Sequence, residues 1–234
     1  MGNIAVTLSA NAGLAVDICG KRIWVDALHS KKVPTFSAVS PELFAKIMVT
    51  PAFENPDAIC YTHDHPDHFS REMTVKAMER WPSAKVFLPQ QRFAQQILVE
   101  GACPEYILDD VKLRFLRLPH EGAQYAAVTH YGLLILSSQG NVLVTGDCAV
   151  AASELMQAVE GIRLDVAILD FPWLTLGKGR AALEALAPRQ ILLYHLPFSE
   201  DDENGYRASA AKAVSRWEKG NATLLWNPLQ TEVF

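Results

Sequence analysis

Tyr61-Thr62-His63-Asp64-His65-Pro66-Asp67-His68-Phe69 carries three histidines and an aspartate at the spacing His-x-His-x-Asp-His. Neutral imidazole suits zinc, iron and nickel, and carboxylate adds a harder oxygen donor, so His63, His65, Asp67 and His68 form a candidate metal cluster. A lone loop histidine reads as a solvated polar group; this density of donors does not. The run follows the apolar, strand-like stretch Ala58-Ile59-Cys60-Tyr61. It therefore sits on a loop at a strand end, where a rigid scaffold presents chemistry. Asp64, between the ligands, reads either as a solvated loop carboxylate or as a brace for the loop.

The chain has 234 residues, of which 50% are hydrophobic, and a net charge of −5. That length suits a single domain over residues 1–234 with a sizeable core. The balance of charge offers no basic stripe, which argues against a large nucleic-acid partner. Cysteines stand at 19, 60, 103 and 148 without a Cys-x-x-Cys pair, so reduced thiols are expected rather than a disulfide framework. The start lacks a basic region followed by a continuous apolar run, and Val6 stands where a lipidation signal beginning at Met1-Gly2 needs Ser or Thr. No apolar stretch reaches the roughly 18 residues of a membrane span. The expectation is a soluble cytoplasmic protein with no membrane partner.

Working outward from the histidine loop, short branched runs at 4–8, 13–18 and 22–26 read as strands. Ser40-Pro41 starts a helix that runs to about 49, and 57–62 is the strand feeding the cluster. Ser70 caps a helix to about 80. A strand at 85–88, a helix at 90–99 closed by Gly101 and a strand at 112–118 follow. Further strands are expected at 124–128, 133–137 and 142–145. The last third alternates: helix 153–159, strand 165–170, helix 180–186, strand 190–195, helix 206–218, strand 223–226. Many strands first and mixed elements later suggest two packed sheets with helices on the outer faces.

Other ligands should come from other strand ends. His120, Asp147 and His195 each emerge where an apolar strand stops. His29 reads as a surface or turn histidine, and Cys148 as a small buried hydrophobe. In this order, His63-x-His65-x-Asp67-His68, then His120, then Gly146-Asp147, then His195, the chain resembles the metallo-β-lactamase superfamily over nearly its whole length. Among its branches the chain is most similar to stand-alone hydrolases of the ascorbate-lactone kind. The resemblance implies an α+β fold, a four-layer αββα sandwich, with metals at one edge of the central sheets. It further implies that His63, His65 and His120 hold a first metal, that Asp67, His68 and His195 hold a second, and that Asp147 bridges them. The alternation of 63 and 65 lets both point at one ion while 67 and 68 turn toward another. His120 follows the clearer strand, while His130 stays open as the alternative third histidine or as a substrate-pocket residue.

The implied cofactors are two divalent metal ions, zinc by default, with manganese or iron fitting the same donors. The implied activity is that of a metal-dependent hydrolase, in which a hydroxide activated by the metal pair attacks a small ester, lactone, thioester, amide or phosphodiester. Asp67 is the candidate catalytic carboxylate, able to accept a hydrogen bond from the nucleophile. Related two-iron oxidoreductases carry Glu where this chain has His65, which favours hydrolysis. Trp173 and Lys178, between a strand and a helix, are candidate substrate contacts. Two alternatives stand beside this reading: a phosphodiesterase or nuclease-like enzyme acting on nucleotides or RNA, and a non-catalytic metal-binding protein.

Overall fold

Apolar residues fill both faces of the central strands, and their alternation assigns each face to a layer. The computed structural model describes residues 4–30 and 36–234; the Met1-Gly2 pair lies outside them. The chain begins with β1 (Ile4–Leu8), β2 (Leu14–Ile18) and β3 (Lys21–Val25), then α1 (Pro41–Ile47), β4 (Ala58–Cys60), α2 (Arg71–Arg80), β5 (Lys85–Leu88) and β6 (Ile97–Leu98). A second sheet follows with β7 (Glu105–Leu108), β8 (Val111–Arg117), β9 (Tyr131–Ser137) and β10 (Gly140–Val144). The remainder is α3 (Ser153–Ala158), β11 (Val166–Asp170), α4 (Pro172–Thr175), α5 (Gly177–Leu186), β12 (Gln190–Tyr194), α6 (Tyr206–Ser215), β13 (Asn221–Leu224) and β14 (Thr231–Val233).

The two sheets have the orders β14-β1-β2-β3-β4-β5-β6 and β13-β12-β11-β10-β9-β8-β7. Val16, Val25 and Cys60 of the first sheet meet Leu133, Val142, Ile168 and Leu192 of the second in a central core. The intervening residues point the other way. Trp24, Ile59 and Val86 pack under α1 and α2 with Leu43, Ile47, Met73 and Ala77. Leu143, Leu169 and Leu193 pack under the later helices with Leu155, Trp173 and Leu183. Three apolar seams thus separate four layers, helix, sheet, sheet, helix, as the resemblance implies. Ser40 and Ser70 cap α1 and α2 through their hydroxyls, which accept the N–H of Leu43 and of Met73.

Two expected elements are corrected. Residues 90–99 form no helix, because the Gln96 side chain organises an open loop. Its amide donates to the carbonyls of Leu88 and Gln90 and accepts from the N–H of Arg92 and Phe93. Ile97–Leu98 then pairs with β5 as an edge strand. Residues 124–128 form no strand, because β8 pairs directly with β9 from Val111↔Ser137 to Arg117↔Tyr131 and leaves them outside the ladder. They lie in a loop with a single 3-10 turn at Ala123–Tyr125. The edge strands β7 and β14 were not anticipated in the sequence.

What the fold does for function is set by strand direction. β3, β4 and β5 are mutually parallel, as are β10, β11 and β12. β8 is antiparallel to β9, which is antiparallel to β10, so β8 runs with β10. Strands of each sheet therefore finish together at one edge, the place where open α/β sheets collect ligand groups. Packing tolerance elsewhere is low. Gly179 is buried in α5 with its α-carbon against the Trp173 carbonyl, so Gly179→Ala is expected to cost about 1–3 kcal/mol. The expected readout is a lower urea midpoint at unchanged m.

Candidate metal centre

At the edge of the first sheet, one buried carboxylate organises the loop. Asp26, just past β3, adopts φ +51° and is fully buried. It accepts the Thr62 N–H at 2.8 Å, the Thr62 hydroxyl at 2.6 Å and His68 Nδ1 at 2.8 Å. Because the Thr62 hydroxyl spends its only proton on Asp26, it accepts from His63 Nδ1 at 2.9 Å. Both His63 and His68 are thereby locked with Nδ1 facing the protein and Nε2 facing the site. The chain then turns tightly, with the His65 carbonyl accepting the N–H of His68 and of Phe69. Asp64 is not a free solvated carboxylate: it forms an ion pair with Arg92 and braces the loop.

The second sheet supplies the opposing wall. His120 follows β8, bridges to Cys148 and donates Nδ1–H to the Glu121 carbonyl at 2.7 Å, leaving Nε2 inward. Asp147 follows Gly146, which adopts φ +55°. A Cβ at Gly146 would lie 2.7 Å from His130 Nε2 and 2.9 Å from Thr62 Cγ2, so only glycine lets β10 end this close to the histidine loop. His195 follows β12 at φ +56°, with its N–H donated to the Asn11 carbonyl at 3.2 Å. The Phe36 ring stacks on its imidazole at 4.5 Å between centroids and 5° between planes.

These side chains converge. Donor atoms of His63, His65, His120 and Asp147 form one group, and those of Asp67, His68 and His195 a second, each with all atoms within 4.8 Å of one another. Asp147 joins the two: Oδ2 lies 3.4 Å from His120 Nε2 and 3.9 Å from His63 Nε2, while Oδ1 lies 3.1 Å from His68 Nε2 and 3.5 Å from His195 Nδ1. His120 Nε2 and His195 Nε2 are buried without a hydrogen-bond partner, and His68 Nε2 and Asp147 Oδ1 face each other, 3.1 Å apart. Inward-facing donors of imidazole and carboxylate type, with orphaned nitrogens among them, are the condition a divalent cation satisfies, so the residues present fit a metal centre. Asp170 adds a third group with Asp147 and His195, its Oδ2 3.4 Å from His195 Nδ1.

Electrostatics follow from this crowding. Burial opposes a charge on His68, but Asp147 and Asp26 on its two sides hold its pKa well above the ordinary value. Burial likewise opposes charge on His195, yet Asp147 and Asp170 raise its pKa to about 8. His63 is driven well below its ordinary value by burial and then by the neighbouring His68. Burial disfavours the Asp147 carboxylate, but His68 and His195 outweigh it and hold its pKa well below the usual range.

Several expectations need restating. His29 is fully buried, not a surface residue; its Nε2 lies 3.2 Å from the Ala10 carbonyl. His130 is also fully buried, its ring 5.2 Å from His63 and 5.6 Å from His120, but His120 is the one grouped with His63, His65 and Asp147. His130 has no exposed surface. Trp173 is fully buried under the helical layer, packed with Leu169 and Leu193, and so faces away from the cluster. Lys178 is exposed in the first turn of α5. Cys148 is buried, and burial pushes its thiol pKa up. Asp26, Asp170, Phe36 and Tyr125 went unassigned in the sequence. Tyr125 lies 5.0 Å from the His65 ring and 4.8 Å from that of His120. Asp26 and Asp170 did carry a signal, since each is an acid at the end of an apolar strand, as Asp147 is.

No protein-family model matches the chain, and no curated protein matches it in sequence. Solved structures do match. A metallo hydrolase from the archaeon Ignicoccus hospitalis aligns with TM-score 0.68 and 18% identity over 99% of this chain and 98% of that one. The metallo-beta-lactamase fold protein YhfI from Bacillus subtilis aligns with TM-score 0.66 and 14% identity over 98% of both. A diiron beta-hydroxylase from Streptomyces venezuelae reaches TM-score 0.71 at 15% identity over the whole chain, which spans 55% of that protein's length. At these identities the likeness is one of architecture: the chain has the metallo-β-lactamase fold.

Two outcomes follow from the buried groups. In Asp26→Asn the new amide N–H faces His68 Nδ1 and drives the proton to Nε2. Affinity for divalent metal is expected to fall about 10–100-fold, measured by competition with a chromophoric chelator. In the metal-free protein, burial holds His29 at about 4 and His130 at about 3, against 6.5 for an ordinary histidine. The unfolded chain therefore binds protons below pH 6.5 that the folded chain refuses until those lower values. Stability is expected to fall steadily as pH drops from 6.5 toward 4, and His29→Gln to flatten that slope in urea titrations.

Proposed function

We propose that the protein is a metal-dependent hydrolase of a small-molecule substrate, with two divalent cations held between the sheet edges. The observation that carries this reading is the convergence of five imidazoles and two carboxylates into two adjoining groups of donor atoms, in which the buried Nε2 atoms of His120 and His195 have no hydrogen-bond partner. His63, His65 and His120 would hold one cation, Asp67, His68 and His195 the other, with Asp147 shared. The five imidazoles and two carboxylates favour zinc and also suit manganese or iron. Such cations supply Lewis acidity and make water nucleophilic near neutral pH.

The chain's own groups do the rest. Thr62 and Asp26 fix the tautomers of His63 and His68. Asp67 faces His195 Nε2 through Oδ2 at 4.0 Å, which leaves Oδ1 to accept a hydrogen bond from the attacking water and orient it. Tyr125 on one side and Phe36 on the other flank the cluster with aromatic rings. A further wall forms where Phe171 meets Tyr206 at 5.0 Å. These surfaces suit a small substrate with an apolar part beside its ester, lactone, thioester, amide or phosphodiester bond. All four cysteines are free, which suits a reducing compartment such as the cytoplasm.

Metal analysis of the purified protein is expected to give two divalent ions per chain. Turnover of p-nitrophenyl esters, lactones, thioesters or bis-phosphodiesters is expected to vanish with chelator and return with zinc. The double variant His65→Ala/Asp147→Ala is expected to lose both metal and turnover. Unchanged metal stoichiometry in that variant would sink the ligand assignment. A fully metal-loaded protein that turns over no substrate of any class would sink the hydrolase reading.

A further inference from the structure

Away from the proposed metal centre, α4, α5 and α6 flank an open groove of about 360 Å³ on the outer face of the second sheet. Three cations line it, Arg180, Lys212 and Arg216, together with the hydroxyls of Thr175 and Ser209 and the ring of Trp217. No carboxylate is among its lining residues. We propose that this groove binds a small phosphate-bearing anion.

The charge pattern is what demands an occupant. The chain is acidic overall, at −5, and five of its arginines are paired with carboxylates: Arg22 with Asp17, Arg92 with Asp64, Arg114 with Glu105, and Arg163 and Arg189 with Asp165. Among the described residues, Arg180, Lys212 and Arg216 have no acidic partner. Ser209 and Lys212, spaced i and i+3, share one face of α6, and Arg216 at its C-cap continues that face one turn on. That face looks across at Arg180. These three exposed cations on one groove, with no acid among its lining residues, give it a local positive potential that favours an anion.

Arg180 is also preorganised. Its Nη1 donates to the carbonyls of Leu174 at 3.1 Å and Thr175 at 2.8 Å, satisfying the end of α4 and fixing the guanidinium in place. Its remaining N–H groups are then held ready rather than paid for at binding. A guanidinium presents paired donors to two oxygens and an ammonium adds a point charge, a combination matched to phosphate. Trp217, half-buried at the groove, offers apolar surface to an organic portion. The volume lies within the range of about 300–1,000 Å³ typical of small-ligand sites.

Calorimetric titration of the metal-loaded protein with inorganic pyrophosphate and with adenosine 5′-diphosphate tests this. Binding is expected with both, weakening as salt is raised. Lys212 and Arg216 are exposed, so Lys212→Ala/Arg216→Ala is expected to fold and keep its metal. Its affinity for both probes is expected to drop about tenfold or more, as loss of charge-assisted hydrogen bonds requires. Undiminished affinity in the double variant would overturn the proposal, because the probes would then be bound elsewhere, for instance at the metals. So would the absence of binding at millimolar probe and low salt, or equal binding of adenosine without phosphate. Retention only of RNA or of vesicles rich in anionic lipid would overturn it too, in favour of a surface for larger polyanions.

Discussion

The buried carboxylate of Asp26 is the contact on which the histidine loop depends. It ties the end of β3 to the end of β4 through the Thr62 N–H and hydroxyl, and through His68 Nδ1. A carboxylate buried without partners is expensive, and three donors close around it meet that cost. The same bonds decide which nitrogen of two histidines faces inward. The joint between two strand ends and the tautomers of two histidines thus rest on one side chain. Its φ of +51° is part of the arrangement, since the chain must leave the strand sharply for the carboxylate to turn back under the loop.

Backbone strain recurs at the opposite wall for a related reason. Gly146 and His195 are also left-handed. Parallel strands deliver their ends to one edge, but an extended strand throws successive side chains to opposite faces. A residue needed at the tip must turn out of that alternation. Gly146 does so at little cost and lets Asp147 reach across to His68 and His120. His195 does so as a non-glycine, and its hydrogen bond to Asn11 and its stacking on Phe36 hold the conformation.

Much of this was legible in the residues. Apolar alternation gave the strands, Ser40 and Ser70 announced their helices, and the density of donors at His63–His68 marked the loop. Polar residues at strand ends pointed to His120, Asp147 and His195, which the fold gathers. What stayed hidden has physical causes. Residues 90–99 have helical composition, but the side-chain amide of Gln96 outcompetes the helix for four backbone groups, an arrangement that periodicity does not register. Trp173 resembled a pocket wall because aromatic burial under a helical layer and exposure at a rim share one local sequence. His29 looked peripheral because only the tertiary fold brings the Ala10 carbonyl to it. Asp26 was read as a strand end and nothing more, since its partners lie 36 and 42 residues away.

Charge accounting ties the hidden residues to the visible ones. In the proposed centre, two divalent cations would bring four positive charges into a largely buried space, and the five neutral imidazoles of His63, His65, His68, His120 and His195 would bring none. Asp67 and Asp147 offset only half. Asp26 behind His68 and Asp170 behind His195 provide the other half at one remove, each acting through a ring that passes its field inward. Without cations, Asp147 and Asp26 raise the pKa of His68, and Asp147 and Asp170 raise that of His195. Protons then take up part of the role of the metal charge. Metal binding must therefore displace protons, and affinity must rise with pH until both rings are neutral. The carboxylates outside the ligand set tune that exchange, which is why a reading confined to the ligands leaves half of the site's electrostatics unstated.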